Sequence, residues 1–165
     1  MEEAKDRALA FERVLAPASA RPSRPAPERS EPELDVSVVC TSTVGTIVAL
    51  RQAAALADRL NARIKMLVPQ VVPYLLPLES PPVLLNFSEH RFSEIASACP
   101  VETTVQIYLC RDRVETLKAV LAPGSLVVMG ARKTWWPNRE KNLARSLRRA
   151  GHEVVVVEME STSHA

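Results

Sequence analysis

The chain is poor in the residues from which catalytic loops and metal sites are built. Among 165 residues there are four glycines, three cysteines and three histidines. The cysteines (Cys40, Cys99 and Cys110) are odd in number and have no metal-type spacing. This count and spacing favour neither a disulfide framework nor a zinc site. We expect reduced thiols and no metal.

Long hydrophobic runs and a strong charge of one sign are also absent. No run approaches the ~18 apolar residues of a membrane span, so we expect no transmembrane segment. The N-terminus alternates charged and apolar residues and has no apolar signal core, which predicts a cytoplasmic protein. The formal net charge of +2 is too small to indicate nucleic-acid binding.

Composition divides the chain into four parts. Residues 1–16 are predicted to form a short amphipathic helix, because apolar residues recur among charged ones. Residues 17–33 contain five prolines and no large apolar side chain, so they are predicted to be a flexible linker. The folded domain is expected over residues 34–160, followed by a disordered tail at 161–165.

Within the domain, short apolar runs alternate with segments of helical periodicity. Strands are predicted at 36–40, 63–68, 101–110, 125–130 and 152–159, and helices at 46–61, 88–98, 112–121 and 139–150. Ser88 and Asn138 are the expected N-caps of the second and fourth helices. Right-handed crossovers place such a chain in a parallel sheet with helices on both faces, and ligands bind beyond the carboxyl ends of the strands.

Residues 69–87 interrupt this alternation. Prolines 69, 73, 77, 81 and 82 stand among leucines and valines, which excludes a regular helix or a central strand. The segment either covers the edge of the sheet or presents an apolar surface to a protein or a membrane.

Two stretches resemble the universal stress protein family. The stretch at 49–68, ALRQAAALADRLNARIKMLV, is similar to that family's first helix and second strand; the stretch at 114–130, VETLKAVLAPGSLVVMG, is similar to its third helix and fourth strand. The resemblance covers residues 35–159. It implies a Rossmann-like three-layer α/β/α sandwich with a five-stranded parallel sheet in the order 3-2-1-4-5, dimerisation through the last strand, and ATP binding in some members.

The ATP-binding pattern of that family is degenerate in this chain. The family's Asp after the first strand is replaced by Thr41. Its pattern Gly-x2-Gly-x9-Gly-Ser/Thr, laid on Gly130, puts Lys133 at the second glycine and Leu143 and Ala144 at the last pair. A register shifted for the shorter helix meets Glu140 and Lys141 instead. No cofactor is therefore expected. The alternative is ATP or AMP bound by a non-standard site whose residual positions are Thr41, Ser42, Val68, Gly130, Arg132, Lys133 and Asn138.

The loop after the fourth predicted strand has gained bulk and charge. Trp135 and Trp136 are the only tryptophans, and seven cations lie between Arg132 and Arg149 against the single carboxylate of Glu140. The cations are either a solvated helix face or an anion-binding surface, and the tryptophans either fill the core or anchor a partner. Candidate partner-binding residues are Trp135, Trp136, Arg139 and Arg145. The strand with Val154, Val155, Val156 and Val157 is either interior or the dimer edge implied by the resemblance.

No catalytic set is apparent. His90, His152 and His164 are scattered, and no Ser-His-Asp or Cys-His arrangement follows from their spacing. Cys40 ends the first predicted strand of the domain, as either a reactive thiol or a small buried hydrophobe. We therefore expect a non-enzymatic regulatory domain that acts by homodimerisation and by binding an unidentified protein partner.

Overall fold

A computed structural model describes residues 11–15, 34–81 and 85–160, with residues 11–15 described by their backbone alone. The strands are β1 (Phe11–Leu15), β2 (Asp35–Val39), β3 (Arg63–Val71), β4 (Thr103–Cys110), β5 (Leu126–Arg132) and β6 (Glu153–Met159). The helices are α1 (Thr43–Leu60), α2 (Leu85–Ser97), α3 (Arg113–Val120) and α4 (Arg139–Arg149). The predicted linker and C-terminal tail lie outside the described residues.

Strands β2 to β6 form one parallel sheet in the spatial order β4-β3-β2-β5-β6. Counted from the first strand of the domain, this is the predicted order 3-2-1-4-5. The order of the sheet reverses between β2 and β5, so the crevice expected of such a fold lies above these two strands. The predicted fold class is confirmed.

The helices cover both faces of the sheet. On one face α1 and α2 pack through the alanines of α1 (Ala49, Ala53 and Ala57) and through Ala96. On the other face Leu117 of α3 and Leu143 and Leu147 of α4 pack over Val39, Val127 and Met129. The described helices include none that is both long and apolar enough to cross a membrane.

The N-terminal helix predicted over residues 1–16 is wrong for the part that the structure describes. Phe11–Leu15 is a strand that pairs antiparallel with β4, with Phe11 opposite Leu109 and Leu15 opposite Val105. An open outer strand offers a row of unpaired backbone groups, and pairing satisfies them better than a short isolated helix does. The sheet of the described residues therefore has six strands.

Strand β3 runs three residues further than predicted and includes Pro69. The backbone N–H and C=O groups of its odd-numbered residues point towards β2, because Arg63 N donates to Leu34 O and Leu67 O accepts from Cys40 N. At Pro69 an N–H group would therefore point towards β2, but the pairing of β2 with β3 already ends at Val39, so no hydrogen bond of that ladder is lost. On the other side Pro69 stays in register with Tyr108 of β4. The proline is tolerated because it stands just beyond the end of one ladder.

The prediction of Ser88 as an N-cap is also wrong. Helix α2 begins at Leu85, and Ser88 is a buried residue of its second turn. The caps of the later helices agree better with the sequence. Asp112 Oδ1 accepts from Glu115 N at 2.9 Å, and Asn138 Oδ1 accepts from Lys141 N at 2.8 Å, which confirms Asn138 as the cap of α4.

We predict that Leu147→Ala lowers the free energy of unfolding by about 2–5 kcal/mol, because Leu147 is fully buried between α4 and the sheet. Leu60→Ala removes the same atoms from an exposed side chain and should change stability by less than about 0.5 kcal/mol. Urea denaturation followed by circular dichroism measures both. Equal losses would contradict the assignment of α4 to the core.

Candidate functional site

The first turn of α1 packs directly on the end of β5, beside the crevice above β2 and β5. A Cβ built on Gly130 would lie 2.6 Å from Gly45 Cα and 2.7 Å from Gly45 C, which are backbone atoms of that turn. Real Cβ atoms do not approach other atoms so closely, so glycine is required at Gly130 by the seating of α1 on β5. The glycine that the sequence suggested for a phosphate is therefore explained by packing.

Hydrogen bonds fasten the same turn to the sheet. Thr41 Oγ1 donates to Gly130 O at 3.0 Å, and Thr41 N donates to the hydroxyl of Thr46 at 3.2 Å. Ser42 Oγ caps α1 by accepting from Gly45 N at 3.1 Å. Thr41 and Ser42, two of the residual nucleotide positions, thus already have partners within the chain.

The loop from Lys133 to Asn138 is likewise bonded internally. Lys133 N donates to Met159 O at 2.8 Å, so the loop continues the pairing of β5 with β6. Asn138 Nδ2 donates to Arg132 O at 3.3 Å while its Oδ1 caps α4. Lys141 Nζ donates to Thr134 O at 2.8 Å. These bonds direct the polar groups of the loop inward.

An open cleft of about 490 Å³ remains at the end of β5, next to this turn of α1. It is lined by Ser42, Gly130, Ala131, Arg132, Thr134, Asn138, Arg139, Glu140 and Met159. Arg132 and Arg139 supply positive charge, but Glu140 shares the lining and the N-terminus of α4 is already capped. The structure therefore brings Ser42, Gly130, Arg132 and Asn138 together, whereas Val68 is buried in the core under α1 and α2 and takes no part.

The partner-binding candidates fall on two surfaces. Trp135 and Trp136 are 101% and 79% exposed, so the expectation that they fill the core is excluded. Arg139 lines the cleft beside them. Arg145 lies elsewhere, in a second groove of about 450 Å³ between α4 and β6 whose lining includes Lys141, Arg148, Val156 and Glu158.

Strand β6 is an outer strand of the described sheet, and its four valines differ in exposure. Val154 is buried under α4, whereas Val155, Val156 and Val157 are half-buried. Glu153 N donates to Ser125 O and Met159 O accepts from Lys133 N, so the backbone N–H and C=O groups of the odd-numbered residues of β6 point towards β5. The backbone groups of Val154, Val156 and Glu158 therefore point off the edge, where Arg148 Nη2 donates to Val154 O at 2.9 Å.

The buried thiols of Cys40 and Cys110 are not activated. Burial raises the pKa of the Cys40 thiol to about 12, although a hydrogen bond with Thr46 opposes this, and burial also raises the pKa of Cys110. Cys40 is thus a small buried hydrophobe and not an activated thiol. Over the described ranges, no three His, Cys, Asp or Glu residues form a group suited to a metal ion.

We predict that Gly130→Ala destabilises the protein by at least about 1–3 kcal/mol, since the new methyl group meets backbone atoms that cannot rotate away. Gly45→Ala should cost less, because the nearest atoms to its new Cβ belong to the side chains of Thr41, Ser42 and Met159. Thermal unfolding of both variants gives the comparison. A Gly130→Ala protein as stable as the parent would contradict the close contact.

No protein-family model matches the chain, and no curated protein matches it in sequence. The resemblance to universal stress proteins therefore remains a prediction from the motifs at 49–68 and 114–130.

Proposed function

We propose that this chain is a non-enzymatic regulatory domain that acts by association. It pairs with a second copy through β6 and binds a further partner through the loop that carries Trp135 and Trp136. One contrast carries the proposal: the polar groups around the crevice are bonded within the chain, whereas both tryptophans are exposed to solvent. Exposed tryptophans are costly for a monomer and are enriched where proteins bind.

The edge of β6 supports pairing with a second copy. Three residues, Val154, Val156 and Glu158, direct their backbone groups outward. Val154 O already accepts from Arg148 and would share its second lone pair with a second copy, and exposed edges of this kind add strands readily. In an antiparallel pair centred on Val156, Glu158 of the second copy lies opposite Val154. It then meets the groove that contains Arg145 and Arg148, whose charges complement it.

We also propose that the chain is a divergent relative of the universal stress proteins with a role in a stress response. The sheet order and the position of the crevice support this. Nucleotide binding is the second candidate, favoured by the cleft that holds Arg132 and Arg139 beside the end of β5. We rank it lower because Thr41, Ser42 and Asn138 are committed to internal hydrogen bonds.

Val156→Pro should convert the dimer into a monomer. The N–H of Val156 points off the edge, so proline removes a donor needed for pairing between copies without breaking the ladder to β5. Val44→Pro is the matched control, because Val44 is exposed in the first turn of α1, where proline is tolerated. Light scattering at two concentrations measures the masses. A parent protein that is monomeric at about 100 μM would contradict the proposed dimer, since it would place the dissociation constant well above that value.

Calorimetric titration with ATP, ADP and AMP should detect no binding tighter than about 100 μM. A change at Gly130 would unseat α1, so it cannot serve as the diagnostic variant. Arg132→Ser is suitable because Arg132 is exposed in the cleft, and Arg149→Ser at the far end of α4 is the control. Tight binding that Arg132→Ser abolishes and Arg149→Ser preserves would establish the second candidate instead.

A further inference from the structure

Large exposed apolar side chains lie mostly at the end of the sheet where the parallel strands have their carboxyl termini, which we call the carboxyl edge. Of those in the described residues, only Leu34 and Leu60 lie at the opposite edge. The most exposed ones stand on two loops, which we name by their positions. The β3 loop is residues 72–76, with Tyr74 at 83% and Leu75 at 97% exposure. The β5 loop is residues 133–137, with Trp135 and Trp136.

The β3 loop is held in shape by one arginine. Arg111 Nη1 donates to Val72 O at 2.9 Å and to Pro73 O, and its Nη2 donates to Leu76 O at 2.8 Å. The guanidinium carbon of Arg111 also lies 5.1 Å from the centre of the Tyr74 ring. Three carbonyl groups of the loop, those of Val72, Pro73 and Leu76, therefore accept hydrogen bonds from Arg111, while the side chain of Leu75 is exposed.

The β5 loop is built in the same way. Lys141 Nζ donates to Thr134 O at 2.8 Å, and Trp136 N donates to Thr134 Oγ1 at 3.3 Å. Lys133 N is bonded to Met159 O at 2.8 Å. A cation thus fastens each loop from within, and each loop directs apolar side chains into solvent. Loops fixed in this way lose little conformational entropy when they bind.

The two loops leave the same edge of the sheet. Strands β3 and β5 flank β2, so the loop bases are separated by two strand spacings, roughly 10 Å. Cations border the β5 loop, with Arg132 and Lys133 before the tryptophans and Arg139 after Pro137. No carboxylate occurs between Ala131 and Arg139. The β5 loop therefore combines projecting apolar side chains with three cations, against the single carboxylate of Glu140 at the start of α4.

We infer that this edge docks on an anionic lipid surface. Tryptophan and tyrosine favour the membrane–water interface, where an amphipathic ring has one apolar and one hydrated side. Leu75 supplies apolar area, and Arg132, Lys133 and Arg139 complement anionic headgroups. A lipid surface fits better than a protein partner because the apolar side chains project from the tips of two separate loops, and the cations lie beside them. The inference rests on the proposal that the β5 loop is an association surface.

Intrinsic fluorescence tests the inference directly, because Trp135 and Trp136 are the only tryptophans in the chain. The full chain is mixed with vesicles of phosphatidylcholine alone or with about one-third phosphatidylserine. We expect a blue shift and co-sedimentation only with the anionic vesicles, weakening as salt rises. Leu75→Ser and the double variant Trp135→Ser/Trp136→Ser should each reduce the sedimented fraction at least about tenfold at limiting lipid.

Matched control variants separate docking through this edge from nonspecific adsorption to the vesicles. Leu60→Ser changes an exposed leucine at the opposite edge, and Arg149→Ser removes an exposed cation from the far end of α4. Both should leave vesicle binding unchanged. Three results would overturn the inference: no blue shift with anionic vesicles, binding insensitive to Leu75→Ser, or tryptophans protected from acrylamide in concentrated protein without lipid. The last result would assign the edge to a protein contact. Failure with vesicles alongside a dimer by light scattering refutes only the lipid partner.

Discussion

The close contact between Gly45 and Gly130 fixes the position of α1 on the sheet, and the geometry of the crevice depends on it. It seats the first turn of α1 directly on β5, and Thr41 then bonds to Gly130 O across the point where the strand order reverses. In this architecture that point normally holds the ligand. Here the backbone of α1 packs against β5 at that point, and for this reason the surfaces proposed for association face outward: the edge of β6 and the loops at the carboxyl edge.

These surfaces share one physical feature, which is that cations of the chain bond to backbone carbonyl groups near them. Arg148 bonds to Val154 O at the edge of β6, Lys141 to Thr134 O and Arg111 to the carbonyl groups of the β3 loop. The basic residues of α4 are therefore more than a solvated face. Two of them, Lys141 and Arg148, are bonded to the β5 loop and to the edge of β6.

Much of the fold was predictable from local sequence, because parallel strands read as short apolar runs and helix caps have specific side chains. The role of Asn138 as the N-cap of α4 and the order of five strands in the sheet are examples. Three features depended on tertiary contacts that local patterns do not encode. Pro69 fits only because β2 ends beside it, Phe11–Leu15 is a strand only because β4 offers an edge, and Gly130 is explained by Gly45, far away in sequence. The degenerate phosphate loop stays a prediction from the glycine pattern, and the structure explains only why glycine is required at Gly130.

Amide hydrogen exchange along β6 tests most directly whether the molecule acts through its outward surfaces. The N–H groups of Val156 and Glu158 point away from β5, whereas those of Val155 and Val157 lie on the side that pairs with it. The account predicts that exchange at Val156 and Glu158 slows as protein concentration rises, while exchange at Val155 and Val157 stays slow throughout. Fast exchange at Val156 and Glu158 at every concentration would contradict it.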